Sequence, residues 1–242
     1  MVAITTVIYA DELPGAGRLG RHVEHDPRSR AFAVEAAVPA YVPGPILWPR
    51  YSPILDQGSV GSCTGNAMAG WLGCAPHCQS TTDAPRYDEA MAVKLYELAT
   101  RYDRIPGYYL PGDPASVDSG STGVAVAKAA KRTGLISSYG WAFTTWGLLH
   151  ALQASPVLVG SVWTSSMDHP DRDGYVHPDG DIRGGHEYLV RGYEPGVGGQ
   201  EGYLTADNSW SDRWGVSGSF RLRLSDWETL RAQQADVTVP KV

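Results

Sequence analysis

Cysteine is scarce in this 242-residue sequence, with Cys63, Cys74 and Cys78 the three present. Three thiols cannot all pair within one chain, so at least one stays free unless it bonds another chain, and a disulfide-stapled scaffold is excluded. Phenylalanine is also rare, at three, against thirteen tyrosines and eight tryptophans. Long apolar runs are missing. The opening MVAITTVIYADELPG is broken by Thr5, Thr6 and Asp11 and has no basic residue before Arg18, so it reads neither as a secretory signal nor as a membrane span. The default location on that reading is the cytoplasm of the producing cell, without membrane partners. Basic residues are outnumbered, 20 against 26, for a formal net charge of −6. That balance argues against nucleic acid as a partner.

Apolar residues at 43% and charged residues at 19% describe an ordinary globular chain, long enough for one domain built in two lobes. Residues 1–45 read as an extended arm, polar at first (RLGRHVEHDPRSR) and then rich in proline (VPAYVPGPILWPR), lying on a body of residues 46–242. Helical spacing predicts helices from Cys63 to Cys74 with Ser62 as N-cap, over 87–102, over 122–133 and over 146–154. After Pro156 the texture changes to short β-type runs (VLVGSVW, EYLVRGY, GYLTADN and SGSFRLRL) separated by glycine-rich turns. LSDWETLRAQQAD predicts a closing helix, capped by Ser225 with Glu228 completing a capping box. Helices first and strands afterwards is an α+β order, with a cleft between two lobes as the natural site. No internal repeat or low-complexity tract interrupts it.

Three segments carry chemistry. In Asp56-Gln57-Gly58-Ser59-Val60-Gly61-Ser62-Cys63 a glycine-punctuated loop delivers a thiol to a helix start, where unpaired amides favour an anion and so a nucleophilic thiolate. Gln57, on the same loop, carries an amide that can donate to an oxyanion forming beside the sulfur. In Gly184-Gly185-His186 two glycines precede a histidine that opens a β run; imidazole titrates near neutrality and can take a thiol proton and return it to a leaving amine. None of the other six histidines has that setting. In Asp207-Asn208-Ser209-Trp210-Ser211-Asp212-Arg213-Trp214-Gly215 two indoles bracket a polar loop, and an amide beside an indole can orient an imidazole and keep water off the bond between them. A buried structural cysteine and a tryptophan-stapled turn are the plainer readings of the first and third segments taken alone.

In this order, the segments resemble the papain-like cysteine peptidases (the C1 family), whose pattern runs Gln, Gly-Ser-Cys at a helix start, Gly-His before a strand, then Asn-Ser-Trp and Trp-Gly. Those positions are Gln57, Gly61-Ser62-Cys63, Gly185-His186, Asn208-Ser209-Trp210 and Trp214-Gly215. His186 and Asn208 follow Cys63 by 123 and 145 residues, near the spacing of about 130 to 150 of that family. The likeness covers residues 45–224 and is closest to short bacterial and viral members, with Asp118-Ser119-Gly120, Pro156-Val157 and residues 28–38 as further points of similarity. Val60 and Thr64 depart from the plant and lysosomal pattern, which has a disulfide cysteine and a tryptophan there.

The resemblance implies a papain-like fold with a helical left lobe and a β-barrel right lobe, and a thiol endopeptidase acting on protein or peptide as a monomer with no metal or cofactor. Cys63 would attack the carbonyl, His186 shuttle the proton, Asn208 orient the imidazole, and Gln57 with the Cys63 amide hold the oxyanion; Trp210 would shield the Asn208–His186 contact. Gly61, Ser62, Gly184, Gly185 and Trp210 are the expected substrate-binding positions. An arm of about 45 residues is too short for the long helical propeptide of the plant and lysosomal enzymes. Two alternatives remain, a thiol amidase or peptidoglycan peptidase on the same scaffold, and a catalytically silent binding or virion-associated module. Cys74-Ala75-Pro76-His77-Cys78 lacks a fourth ligand at zinc spacing and reads as two thiols or a local disulfide. The carboxylate-rich stretch 168–181 lacks the glycine and terminal glutamate of a calcium loop and reads as a solvated loop on the cleft rim.

Overall fold

Three polar side chains set where the helices begin. The computed structural model describes residues 18–24, 27–37 and 42–242. In it Asp88, Thr122 and Thr144 each accept a hydrogen bond from the backbone N–H three residues on, at Met91, Ala125 and Gly147, which satisfies a first-turn donor that the helix itself cannot. They open α2 (Glu89–Ala99), α3 (Gly123–Arg132) and α4 (Thr145–Leu152). Helix α1 (Cys63–Leu72) begins after Ser62, as expected, but the Ser62 hydroxyl bonds the Asn66 side chain at 2.8 Å and caps no backbone group. The last helix, α5 (Leu224–Ala232), is preceded by Arg223 rather than capped by Ser225. Ser225 instead bonds Glu201 through its N–H and hydroxyl, and Glu228 is engaged by Thr145 and Arg231, so the capping box does not form.

The strands are β1 (Ile46–Leu47), β2 (Ser138–Ala142), β3 (Val157–Thr164), β4 (Ile182–Glu194), β5 (Tyr203–Asp207), β6 (Ser219–Arg223) and β7 (Asp236–Lys241). They form one antiparallel sheet in the order β2-β7-β3-β4-β5-β6, with β1 paired to β4. The two end strands β2 and β6 do not pair, so the β half is an open sheet rather than the closed barrel expected for the right lobe. Strands β2 and β7 escape the sequence patterns. Strand β2 carries Gly140 at its centre, a weak β former, and β7 follows a turn in which Gln234 takes a φ of 67°, where the expected terminal helix had run on to Asp236.

The arm is not uniformly extended. Residues Pro27–Phe32 and Val34–Ala37 form 3-10 turns, and Ile46–Leu47, at the start of the body, pairs with the C-terminal end of β4; the expected extended stretch at residues 38–41 falls outside the described residues.

Strand β3 is buried on both faces and separates two cores. On one face Val157, Val159 and Trp163 join Tyr188, Trp210, Trp214, Phe220 and Leu222 in the core of the sheet lobe. On the other Leu158 and Leu189 join Met68, Leu72, Leu95 and Val126 of the helical lobe. Within that lobe α1 and α2 touch so closely that a β-carbon on Gly65 would lie 2.1 Å from the Ala92 carbonyl oxygen. No helix among the described residues is long and apolar enough to cross a membrane.

Trp163 is the hub of the sheet lobe. Its ring meets those of His186, Trp210, Trp214 and Phe220 at centroid distances of 5.0, 5.2, 6.1 and 5.7 Å, and its Nε1–H donates to Asp168 at 2.9 Å. A Trp163→Ala variant is expected to lose about 3–5 kcal/mol of stability, measured by urea unfolding; a loss below about 1 kcal/mol would contradict this packing.

Candidate active site

Cys63 is the first residue of α1 and is fully buried. The loop that presents it is clamped from the helical lobe. The Asp118 carboxylate accepts the Gly61 N–H at 2.9 Å and the Tyr96 hydroxyl at 2.6 Å, and the same hydroxyl accepts the Gly120 N–H. From the sheet lobe the loop is held by main-chain bonds: Gln57 N–H to Ser209 O at 2.9 Å and Ser211 N–H to Leu55 O at 3.1 Å.

His186 lies in β4 and Asn208 just after β5, both buried. Asn208 Oδ1 accepts the Ser209 N–H at 2.7 Å, which identifies it as the oxygen, so the 2.7 Å contact to His186 Nε2 has the imidazole as donor. That bond selects the tautomer with its lone pair on Nδ1, an atom that is buried and has no hydrogen-bond partner. Trp210 leans on the imidazole, with ring centroids 5.1 Å apart and planes at 33°. Asp207, the residue before Asn208, is fastened by Arg191 at 2.8 Å, Arg50 at 3.2 Å and Ser219 at 2.7 Å.

The Gln57 side chain is locked at both ends of its amide. Its Oε1 accepts the Ser209 hydroxyl at 2.6 Å, and its Nε2 donates one hydrogen to Val60 O at 2.7 Å; a primary amide carries a second hydrogen.

Hydrogen bonds join three of the four expected residues, His186 to Asn208 directly and Gln57 to Asn208 through Ser209. Glu187, the residue after His186, lies near enough to the Cys63 thiol for its main chain and its carboxylate both to act on that thiol's titration. Of the expected substrate-binding positions, Gly61 and Gly185 face the segment described next, Gly184 touches Leu19, Ser62 is turned inward onto Asn66, and Trp210 serves the imidazole.

An unexpected occupant covers the site. Residues 18–22 run across it, joined to the body by one bridge between Arg21 and Ser121: Arg21 N–H bonds Gly185 O at 2.9 Å, His22 N–H bonds Ser121 O at 2.8 Å, and Ser121 N–H bonds Gly20 O at 2.8 Å. Gly20 lies against the main chain of Gly61, two residues before Cys63, and its own main chain favours the thiolate of that residue. Only glycines permit the approach, since a β-carbon at Gly20 would stand 2.0 Å from Gly61 O, and one at Gly120, whose φ is 81°, 2.0 Å from Gly20 O. Nothing in the composition of RLGRH marks this segment, because its partners are main-chain groups far along the chain.

Burial dominates the electrostatics. It pushes the Cys63 thiol up to about 12, against the hydrogen bonds from Glu187, Gly20 and Thr64. It also pushes the His186 imidazole down to about 4, with the Asn208 bond opposing. Both groups are therefore neutral at pH 7 while residues 18–22 are in place. Glu187 is fully buried too, and its carboxyl is raised by burial and by Asp236, with Arg21 opposing.

Among the described residues no group of three His, Cys, Asp or Glu side chains is placed to hold a metal. Cys74 and Cys78 are free and buried, and His77 lies against Trp71 and Tyr87. The stretch 168–181 is tied in rather than loose, with Asp168 held by Trp163 and Arg183 and Asp171 by the Tyr175 N–H.

Two outcomes follow. A neutral His186 in the folded chain means that the unfolded chain binds more protons between pH 6.5, its ordinary value, and about 4. Stability should therefore be complete above pH 6.5 and fall by up to about 3 kcal/mol as the pH drops through that window; in a His186→Gln chain, urea midpoints should lose that part of the slope. A Gly20→Ala substitution should lift residues 18–22 off Gly61 and raise the rate of Cys63 alkylation by iodoacetamide about tenfold or more, read by intact mass; an unchanged rate would mean that this segment does not shield the thiol.

No family model and no curated protein matches the sequence. Solved structures do match its shape. Xylellain, a cysteine protease from Xylella fastidiosa, superposes with a TM-score of 0.57 at 20% identity, over 93% of this chain and 96% of that one. Procathepsin L 3 from the larval midgut of Tenebrio molitor gives 0.54 at 16%, over 97% and 77%. A structure from work on the mite allergens Blo t 1 and Der p 1 gives 0.54 at 16%, over 93% and 76%. This chain has the α+β, papain-like fold of those proteins.

Proposed function

We propose that the chain is a papain-like cysteine peptidase that hydrolyses peptide bonds in proteins or peptides. The observation that carries this reading is the buried His186–Asn208 pair with a partnerless Nδ1, in a chain that also presents a buried thiol at a helix start. Cys63 Sγ attacks the substrate carbonyl carbon as His186 Nδ1 takes the thiol proton. Negative charge then builds on the carbonyl oxygen, within the field of the α1 N-terminus, and the second Nε2 hydrogen of Gln57 and the Cys63 N–H are the donors for it. The C–N bond breaks, the imidazolium protonates the leaving amine, and a thioester remains on Cys63. Water, deprotonated by His186, adds to the thioester; the acid leaves and the thiol is restored. Asn208 keeps the ring oriented throughout, and Trp210 keeps water off their bond.

Residues 18–22 occupy the track that a substrate backbone needs, so they move aside before turnover. The likeness in fold to xylellain, which is itself a cysteine protease, supports the same reading.

The test is hydrolysis of casein and of fluorogenic peptides by the Gly20→Ala chain. Cys63→Ala in that background should abolish activity, and Gln57→Ala should lower kcat by about 10²–10³ with little change in KM. Retained activity in the Cys63→Ala chain would sink the proposal. Amine release from purified cell walls with casein untouched would move the substrate class to an amidase on the same machinery.

A further inference from the structure

Arg21 enters a pocket built by sheet register. Gly160 of β3 pairs with Glu187 of β4 on one side and with Asp236 of β7 on the other, so two carboxylates flank a residue that has no side chain. Cross-strand neighbours share a face of the sheet, and Glu187 on this face is close enough to Cys63 to act on its thiol. The glycine makes the space. A β-carbon at Gly160 would fall 2.5 Å from Asp236 Oδ1, and 2.6 Å from both Arg21 Nε and Glu187 Oε2.

The pocket is anionic, dry and poorly matched to its present guest. The Arg21 side chain is fully buried. Its Nη2 lies 3.0 Å from Asp236 Oδ1, an ion pair without hydrogen-bond alignment, and donates to Gln234 O at 3.2 Å. Its Nε and Nη1 have no hydrogen-bond partner, and neither has either oxygen of Glu187, which is 1% exposed. A guanidinium built in as a permanent strut between carboxylates is ordinarily held by paired, aligned bonds. Here donors and acceptors are left over on both sides, as in a site whose occupant exchanges.

The guest's backbone shows how another would lie. Gly185 O and the main chain of Ser121 grip Arg21 and its neighbours as they would any extended peptide, and the adjoining residue, Gly20, is the one whose main chain favours the Cys63 thiolate. We infer that the Gly160–Glu187–Asp236 pocket is a substrate side-chain pocket selecting a cationic residue, arginine before lysine, next to the bond to be cut, and that Arg21 holds its place in the covered chain. The physical basis is desolvation. An apolar side chain there leaves a buried and a largely buried carboxyl group without a counter-charge, whereas a guanidinium supplies one. The catalytic consequence rests on the peptidase reading, but the pocket's selectivity does not.

The experiment separates the two. Full-length chain carrying Gly20→Ala and Cys63→Ala is titrated with dye-labelled tetrapeptides Ala-X-Gly-Ala, where X is arginine, lysine, norleucine or glutamate, and binding is read by anisotropy. The same series is run on an Arg21→Ala, Cys63→Ala chain, so that one opened variant remains if the other does not fold. Arginine peptide should bind about a hundredfold more tightly than norleucine peptide, with glutamate weakest, and the isosteric pair Glu187→Gln and Asp236→Asn should erase that preference. Equal binding of arginine and norleucine, a preference that survives loss of both carboxylates, or no binding by any peptide would overturn the inference. With Cys63 restored, coumarylamides carrying the same residues give turnover. Selective binding without any turnover would defeat the peptidase reading and leave the pocket standing; turnover favouring norleucine would do the reverse.

Discussion

Two main-chain hydrogen bonds, Gln57 N–H to Ser209 O and Ser211 N–H to Leu55 O, hold the machinery together. They join the loop that ends in Cys63 to the loop that begins with Asn208, and so couple a helix start in one lobe to a strand end in the other. The positions of Gln57, Cys63 and Asn208 then depend on one another. The side-chain bond from Ser209 to Gln57 adds orientation to position. Beneath this seam β3 and β4 are packed on both faces, so neither loop can shift without disturbing a core.

The same burial that gives the site its rigidity also sets its charge state. A thiol raised to about 12 and an imidazole lowered to about 4 are both neutral across the pH range in which most proteins work. The field of the α1 N-terminus and the donors around the sulfur favour a thiolate, but they do not outweigh the loss of water on burial. Covering and uncovering the site is thus an electrostatic change as well as a steric one. The paired carboxyls under Arg21 follow the same rule, since removing their counter-charge from a dry pocket leaves Glu187 and Asp236 facing each other.

Local patterns account for much of what was legible. The helices around residues 63–72, 89–99, 123–132 and 145–152 follow apolar spacing, and ahead of the last three a polar residue lies within three positions of the backbone donor it satisfies. Strands β3 to β6 follow β-branched runs between glycines. What failed were features with weak local signals. Strand β2 is short and contains glycine, β7 hides behind an overextended helix, Ser225 found a partner in Glu201 rather than in its own helix, and the arm folds into 3-10 turns at its Ala- and Glu-containing stretch. Closure of the sheet was not legible either, because it depends on whether β2 and β6 meet.

Gln57, Cys63, His186 and Asn208 stand in the sequence within motifs a few residues long, since a turn, a helix start or a strand start is made by adjacent residues whose chemistry shows at short range. Their nature and order are therefore sequence properties. The occupant of the cleft and the character of its pocket are not. Arg21, Gly160, Glu187 and Asp236 come from four distant segments, and only the register of three strands and the path of residues 18–22 bring them together. Register is a collective result of packing on both faces of a sheet, so it was the tertiary structure that placed two carboxylates across one glycine and a guanidinium between them.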